Sequence, residues 1–294
     1  MPADTGPSCP RCGYDLIGVV ESWKDSCPLK GVCSECGLEF PWSNVLSPLR
    51  SVPRWLIEHS RRRALETFVP TVAWSLRPAR FWSAVRIEHP IHARTLVVYA
   101  VSLVALAHLV VFLATAINFR YTKVAFMGWG LRPPTGWSLY RATFEAAAWP
   151  YSLDDPSYYD FPPFAGLWPW ALVCLTILTP IAHMILSDTF GLARVRFEHL
   201  LRAWAYSMVV VPVTAAVFAV GCSIPDASLA TMRWRWLFFL GGAIWLVRWW
   251  WVVSHRYLRL PQAGLATIAV FSISALGSAA ILSLLELIGF QGRA

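Results

Sequence analysis

Charge is scarce in this 294-residue sequence. Only 14% of the residues are charged, whereas 56% are hydrophobic, and a soluble globular domain carries about 25% charged residues. The sequence also holds 17 tryptophans, a residue that membrane proteins concentrate at the level of the lipid headgroups. The composition argues against an ordinary soluble domain and predicts a protein that is solvated largely by lipid.

Catalytic signatures are missing as well. The sequence contains no HExxH metalloprotease motif, no GxSxG nucleophile elbow and no glycine-rich Walker A loop. Ionisable groups in apolar runs are functional candidates by default, and here they are His108, His183, Asp188 and Glu286. His183 and Asp188 do not share a helical face, so we predict no metal pair there. His108 is the deepest of the four, and we expect a neutral imidazole hydrogen-bonded to a neighbouring helix.

A secretory signal is a third absence. The first residues have neither a basic start nor an apolar core. We therefore expect the N-terminal segment to stay on the cytosolic side of the membrane. Because that side is reducing, the closely spaced cysteines of this segment favour a metal site over disulfides.

Two short turns, each with a pair of cysteines, form the chemical signature of the N-terminal segment. Twenty residues separate Cys9-Pro-Arg-Cys12-Gly from Cys33-Ser-Glu-Cys36-Gly, a spacing typical of four-cysteine zinc sites. The glycine after each pair lets the backbone turn so that amide groups face the sulfurs. We predict a structural Zn²⁺ held in a zinc-ribbon head, residues 1–45, by Cys9, Cys12, Cys33 and Cys36. Four thiolates leave no open position for a catalytic water.

Other readings of the cysteines stay open. The turns are also compatible with a rubredoxin-like iron site, with CxxC redox chemistry, or with no metal at all. Cys27 is a further thiol in the same segment, either a spare or a substitute ligand. A segment of about 40 residues buries too little apolar surface to fold alone, so metal binding would supply its folding energy. Apolar residues beside the turns predict short strands.

A basic linker, residues 46–94, follows the head. Nine arginines and three acids lie between Arg50 and Arg94, as expected of a juxtamembrane segment that faces anionic lipid. This position argues against nucleic-acid binding. Prolines divide the linker, and its apolar residues predict interfacial amphipathic helices at Arg54–Val69 and Ala79–Glu88; the alternative is a solvated connector.

Five apolar runs make up the remaining body, residues 95–294, and predict a mainly α-helical, five-helix transmembrane bundle. The linker arginines place the N-terminus inside and the C-terminus outside, as in a multi-pass protein of the inner cell membrane. A long outer loop covers residues 118–167. In the fourth run we expect Trp249, Trp250 and Trp251 to mark a membrane interface. The predicted spans are residues 95–117, 168–187, 204–224, 236–253 and 263–288.

Two resemblances accompany these patterns. The strings CPRCGYDLIG, from Cys9, and CSECG, from Cys33, resemble the CPxCGYDLRG…CPECG head of uncharacterised zinc-ribbon membrane proteins of planctomycete bacteria. Ile17 and Ser34 differ from that pattern, and neither change touches a thiol. The resemblance implies a zinc ribbon on a multi-pass protein and no particular activity. In topology alone, five spans with an outer C-terminus resemble the Yip-domain family, which acts in membrane trafficking in eukaryotes.

Taken together, these features predict a non-enzymatic integral membrane protein. Its ribbon would present a cytosolic surface to a protein partner, or would organise the linker at the membrane; the lipid bilayer is the other partner we expect, and the oligomeric state stays open. A small-solute transporter or channel is the alternative. The polar groups available to line its path are His108, Thr176, His183 and Glu286.

Overall fold

The structure is a computed structural model, and it describes residues 6–24, 26–59, 64–128, 168–190, 195–222, 228–260 and 262–291. The protein is mainly helical, with one small antiparallel sheet beside the paired cysteines. The chain divides into two compact units. Unit 1 is Met1–Ala100, Thr176–Ser207 and Leu246–Ser274, and unit 2 is Val101–Leu175, Met208–Trp245 and Ala275–Ala294. Unit 1 therefore draws on the head, the linker and the body.

The head contains the predicted short strands around its second cysteine turn. Strand β1, Lys30–Val32, pairs antiparallel with β2, Glu39–Pro41, and Gly31 lies opposite Phe40. A Cβ on Gly31 would lie 2.8 Å from the Trp42 ring nitrogen, so only glycine lets that ring pack on the strand. Helices α1, Ile17–Glu21, and α2, Trp42–Leu46, complete the head. Its buried side chains include Leu16, Leu38, Phe40 and Trp42.

The linker differs from the sequence prediction in where its helices begin. Two 3₁₀ turns, Pro48–Ser51 and Ile57–His59, precede helix α3, Ala64–Ser75. The Thr71 hydroxyl donates to the Trp55 carbonyl oxygen at 2.6 Å and accepts from the Ile57 N–H at 3.2 Å. These bonds hold the backbone at residues 55–57 outside α3, and Ile57 is buried while Leu65 is 87% exposed. The single apolar face expected over Arg54–Val69 is wrong.

Helix α4, Pro78–Ala84, is a core element of unit 1 and not the interfacial helix that we expected. Phe81 and Trp82 are buried, and the Trp82 ring lies 4.4 Å from that of Tyr257 and 5.3 Å from that of Trp249. Trp249 is itself fully buried and donates its ring N–H to the Ala203 carbonyl oxygen at 3.0 Å. Trp249 and Trp250 are therefore core residues, whereas Trp251 is 46% exposed. The membrane interface expected at these three tryptophans stays a prediction.

Long helices form the rest of the described chain. They are α5, Ala93–Gly128; α6, Trp168–Phe190; α7, Phe197–Ser207; α8, Val210–Cys222; α9, Ser228–Val252, which continues as a π-helical turn, Val253–Tyr257; and α10, Ala263–Gln291.

Among the described residues, three segments are long and apolar enough to cross a membrane. They are Ala93–Ala114, Phe197–Val217 and Ala263–Leu284, and Ala171–Ile185 is a shorter apolar helix. These segments overlap the first, third, fifth and second predicted spans. The five-span count itself stays a prediction. Most of the predicted outer loop, residues 129–167, lies outside the described residues.

Within unit 2, a glycine allows two helices to approach closely. A Cβ on Gly242 of α9 would lie 3.0 Å from the Thr214 methyl carbon of α8 and 3.4 Å from Leu172 of α6. Small residues have this role where helices pack in membranes.

Candidate metal centre

The four predicted cysteines meet at one point. The Sγ atoms of Cys9, Cys12, Cys33 and Cys36 all lie within 4.8 Å of one another. Cys9 and Cys36 are 3.6 Å apart, and Cys12 and Cys33 are 3.7 Å apart. A tetrahedron with metal–sulfur bonds of about 2.3 Å has edges of about 3.8 Å. The cluster therefore fits one tetrahedral metal ion, although its geometry does not identify the metal.

The two cysteine turns share one backbone design. In the first, the Cys9 N–H donates to the Tyr14 carbonyl oxygen at 2.7 Å and the Gly13 N–H donates to the Cys9 carbonyl oxygen at 2.8 Å. In the second, Cys33 donates to Leu38 at 3.0 Å and Gly37 donates to Cys33 at 2.9 Å. Gly13 and Gly37 have φ angles of +78° and +67°. Other residues are strained there, which explains the glycine after each pair.

The surroundings of Cys9 and Cys36 favour the neutral form of their thiols in the absence of a cation. Burial raises the pKa of Cys9, and burial raises that of Cys36 to about 11. For Cys33, burial raises the pKa, but hydrogen bonds from the backbone N–H groups of Cys36 and Glu35 and from the neighbouring thiols of Cys9 and Cys12 together outweigh it and lower the pKa. A bound cation would stabilise all four thiolates and displace their protons.

The cluster is a closed set of donors. Cys27 is exposed, and its thiol donates to the Pro28 carbonyl oxygen at 3.4 Å, so it lies outside the cluster. A cleft of about 590 Å³ opens beside the first turn and is lined by Ser8 and Pro10 but by none of the four clustered cysteines. This arrangement favours a structural centre over a catalytic one, because a catalytic zinc keeps an open position.

Arg11, between the ligands of the first turn, connects the head to the chain that follows α9. It is 5% exposed, and its guanidinium donates to the carbonyl oxygens of Cys36 and Arg259, each at 3.1 Å. Arg259 donates in return to the Glu39 carbonyl oxygen at 2.9 Å, and its guanidinium lies 3.5 Å from the Glu88 carboxylate. Arg259 has a φ of +51°, which is uncommon outside glycine. The hydrogen bonds of Arg11 and Arg259 thus attach the head to the chain that follows α9.

The backbone of the first turn is also bound by α7. The Arg11 carbonyl oxygen accepts from the Arg196 N–H at 3.0 Å, and the Pro10 carbonyl oxygen bonds to His199 Nε2. A carbonyl can only accept, so His199 Nε2 carries a hydrogen. The opposite nitrogen, Nδ1, then accepts from the Tyr257 hydroxyl at 2.8 Å if the imidazole is neutral.

A buried ion pair lies at the other end of this chain of contacts. Arg202 Nε and Nη2 donate to the two carboxylate oxygens of Glu58, each at 2.8 Å, and both side chains are fully buried. Arg202 also donates to the Tyr257 hydroxyl and the His89 carbonyl oxygen, both at 3.1 Å, and to the Pro90 carbonyl oxygen. All five guanidinium N–H groups therefore have acceptors.

The Glu58 carboxylate also has several hydrogen-bond donors. It accepts from the Tyr206 hydroxyl at 2.9 Å and from the His92 N–H at 3.2 Å, besides Arg202. A buried pair needs such complete bonding to offset the cost of removing two charges from water. We call the connected set Pro10, His199, Tyr257, Arg202 and Glu58 the docking network.

Sequence reasoning missed the docking network. Glu58 is one of the three acids of the basic linker and falls in the predicted helix Arg54–Val69. Arg202 falls two positions before the third predicted span, which begins at residue 204. The observed apolar segment starts at Phe197 and includes Arg202. A lone arginine in such a segment was the available signal, because charges inside apolar helices are costly and rarely left unpaired.

The ionisable candidates of the apolar runs differ in their burial. His108 is exposed and does not lie in a helical core. His183 is 5% exposed, its Nε2 lies 3.2 Å from the Ser254 hydroxyl, and its ring lies 4.8 Å from that of Trp250. The side chains of Asp188 and Glu286 lie outside the described residues.

Comparison of the chain with protein-family models, curated proteins and solved structures finds no match.

Proposed function

We propose that this is a non-enzymatic integral membrane protein whose zinc ribbon organises its own linker and helix ends. The observation that carries the proposal is the docking network, which runs from the first cysteine turn to the buried Arg202–Glu58 pair. Of the two roles considered for the ribbon, the network favours an internal scaffold. The side of the first turn that contacts α7 is not available to another protein.

Zinc is the metal that we propose for Cys9, Cys12, Cys33 and Cys36. A closed set of four thiolates suits zinc or iron. Zinc needs no redox partner, and zinc sites of this type supply the folding free energy of small domains. The ion would hold the two turns together and so present the Pro10 and Arg11 carbonyl oxygens to α7.

The composition of unit 1 supports the proposed five spans, with the N-terminus inside and the C-terminus outside in the inner cell membrane. If spans alternate in direction from an inner N-terminus, the inner ends are the start of α5, the end of α6, the start of α7, the end of α9 and the start of α10. Unit 1 combines these ends with the head and linker. Contacts within the unit agree, since the Tyr99 and Tyr206 rings lie 5.2 Å apart. The linker arginines favour the cytosolic side for this unit.

Metal analysis of the purified full chain tests the proposal. We expect one zinc per chain in the wild type and in a Cys27→Ser control. The variant Cys12→Ser/Cys36→Ser should lose the zinc and the protease resistance of the head but remain in the membrane fraction. A wild-type protein without zinc, or a double variant that keeps it, would refute the zinc ribbon.

A transporter is the second candidate, and one observation favours it. Thr176, Thr179 and His183 are buried at spacings of three and four on one side of α6. Proton flux into proteoliposomes, followed with a pH-sensitive dye, discriminates between the candidates. Flux in the wild type that is lost in His183→Ala would favour transport, whereas the scaffold proposal expects no flux above empty vesicles.

A further inference from the structure

Helix α3 carries an apolar stripe that faces away from unit 1. Leu65 is 87% exposed, Val69 is 69% exposed and Leu76, just after the helix, is 40% exposed. Spacings of four and seven place all three on one side of the helix. Three large apolar side chains in a row are costly in water, so this stripe needs an explanation. We call Leu65, Val69 and Leu76 the α3 stripe.

The rest of α3 is firmly anchored, so the exposure is not a sign of loose packing. Thr71 and Ser75 are fully buried, and Ser75 donates to the Thr71 carbonyl oxygen at 2.8 Å. The Trp74 ring stacks on that of Trp55 with centroids 4.8 Å apart. These contacts fix the rotation of the helix, and with it the outward direction of the α3 stripe.

A contact with α5 gives the depth of α3 in the proposed membrane arrangement. The Phe68 ring lies 5.5 Å from that of Tyr99, in the apolar segment that begins at Ala93. At 1.5 Å per residue, Tyr99 lies about 9 Å along that segment. Amphipathic helices that lie on membranes bury their apolar side about 5–10 Å into the headgroup and acyl boundary. With the membrane boundary of the proposed arrangement at Ala93, helix α3 lies at the depth of an interfacial helix.

Arginines border the stripe at its C-terminal end. Arg77 and Arg80 are exposed at the corner between α3 and α4. Arg256 joins this corner and donates to the Ala79 carbonyl oxygen at 3.2 Å. Glu66 is the exposed acid on α3 itself. An apolar stripe beside several arginines is complementary to anionic phospholipid, because the stripe enters the acyl region while the guanidinium groups meet phosphates.

We propose that the α3 stripe inserts into the cytosolic leaflet and that Arg77 and Arg80 retain anionic phospholipid headgroups beside it. The proposal rests on the membrane arrangement proposed above, and it specifies the lipid that unit 1 selects. The paired helix α4 has no such role, since its aromatic side is buried within unit 1.

Site-specific photo-cross-linking tests the proposal on the full chain. The photoreactive residue benzoylphenylalanine is placed at position 69, in nanodiscs that contain phosphatidylcholine with a minority of phosphatidylglycerol, and adducts are identified by mass. We expect lipid adducts in which phosphatidylglycerol exceeds its mole fraction by about threefold or more, since each arginine near a charged surface contributes that order of preference. Arg77→Gln/Arg80→Gln should abolish the enrichment but keep the lipid adduct.

Two further probe positions separate the possible failures. The same probe at position 104, an exposed valine of α5, tests the membrane arrangement, and at position 29, a leucine of the head that is 90% exposed, it should give no lipid adduct. Lipid adducts at 104 but not at 69, adducts of 69 to protein, or equal lipid adducts at 29 and 69 would overturn the α3 proposal alone. No lipid adduct at 104 would overturn the membrane arrangement and this proposal together. Adducts at 69 without phosphatidylglycerol enrichment would refute the role of the arginines.

Discussion

The two cysteine turns have the same backbone and different surroundings. Arg11 in the first turn is 5% exposed and bound to the chain after α9, whereas Glu35 at the matching position of the second turn is exposed. Pro10 faces His199, but a Cβ on Gly37 would meet nothing within 4 Å. The comparison shows that the two turns of one candidate metal site have different roles. Both turns contribute two thiols to the candidate metal site, and the first also attaches the head to the rest of unit 1.

This division explains why the residues between the cysteines differ. Proline and arginine in the first turn supply a carbonyl acceptor and a long cation that reaches Arg259. Serine and glutamate in the second turn lie on the exposed side of the head. Both turns therefore share the cysteine and glycine pattern, whereas the two positions between the cysteines of the first turn make the docking contacts.

Removing one thiolate from either turn should have the largest effect and should affect both turns equally. We expect Cys12→Ser and Cys36→Ser each to lose most of the zinc, because either change removes one of four ligands from a site that supplies on the order of 10 kcal/mol to folding. Zinc content and protease sensitivity of the head are the measurements. Retention of zinc by one of the two variants would show that the turns are not equivalent as ligands.

Breaking the buried Arg202–Glu58 pair should cause the next largest loss of stability. The change should affect the contacts of the first cysteine turn and leave the second turn unchanged. Arg202→Ala leaves the Glu58 carboxylate buried without its cation, which costs about 3–5 kcal/mol. Arg202→Lys should also destabilise the protein, since an ammonium cannot make the bidentate contact. Thermal unfolding in detergent checks the order, and Arg248→Ala, in the same unit, is the comparison variant. A melting temperature unchanged by Arg202→Ala would contradict the role of the pair.

The local pattern of the head could be predicted from the sequence, because a metal site needs few residues at fixed spacing. The cluster of Cys9, Cys12, Cys33 and Cys36, the glycine turns and the strands beside the second turn follow from such short-range rules. The length of the apolar runs likewise predicts helices, and three of the predicted spans overlap segments that are long enough to cross a membrane.

The docking network could not be predicted in this way. Glu58 and Arg202 are 144 positions apart and meet only because the linker packs against α7. In the sequence, Glu58 is one acid in a basic linker. Phe81 and Trp82 form the apolar side of an amphipathic pattern, and tertiary contacts decide whether that side faces lipid or protein. The same patterns in α3 and α4 have opposite outcomes, since α3 exposes its stripe and α4 buries its aromatic rings.

Arg11 and Glu35 occupy the same position in the first and second turn, so a substitution at each tests whether only the first turn attaches the head. Arg11→Ala removes two charged hydrogen bonds to carbonyl oxygens, and we expect a loss of about 2–3 kcal/mol in the stability of the docked head. Glu35→Ala should change stability by less than about 0.5 kcal/mol, as is usual for exposed positions. The rate of zinc release to a chromogenic chelator, measured for each of the two variants, checks these expectations. Equal release rates in the two variants would mean that docking of the first turn does not protect the metal.

The glycines after the two cysteine pairs should show the smallest difference. Gly13→Ala and Gly37→Ala each force a residue with a Cβ into the left-handed region, at a cost of about 1–2 kcal/mol. A Cβ on Gly13 would lie 3.5 Å from Arg196 Cδ, an ordinary contact distance, and a Cβ on Gly37 would meet nothing within 4 Å. The two variants should therefore release zinc at similar rates, both faster than the wild type. A much faster release from Gly13→Ala would mean that the docked turn tolerates less than its contacts indicate, because a backbone shift there would also move the Pro10 and Arg11 carbonyl oxygens away from α7.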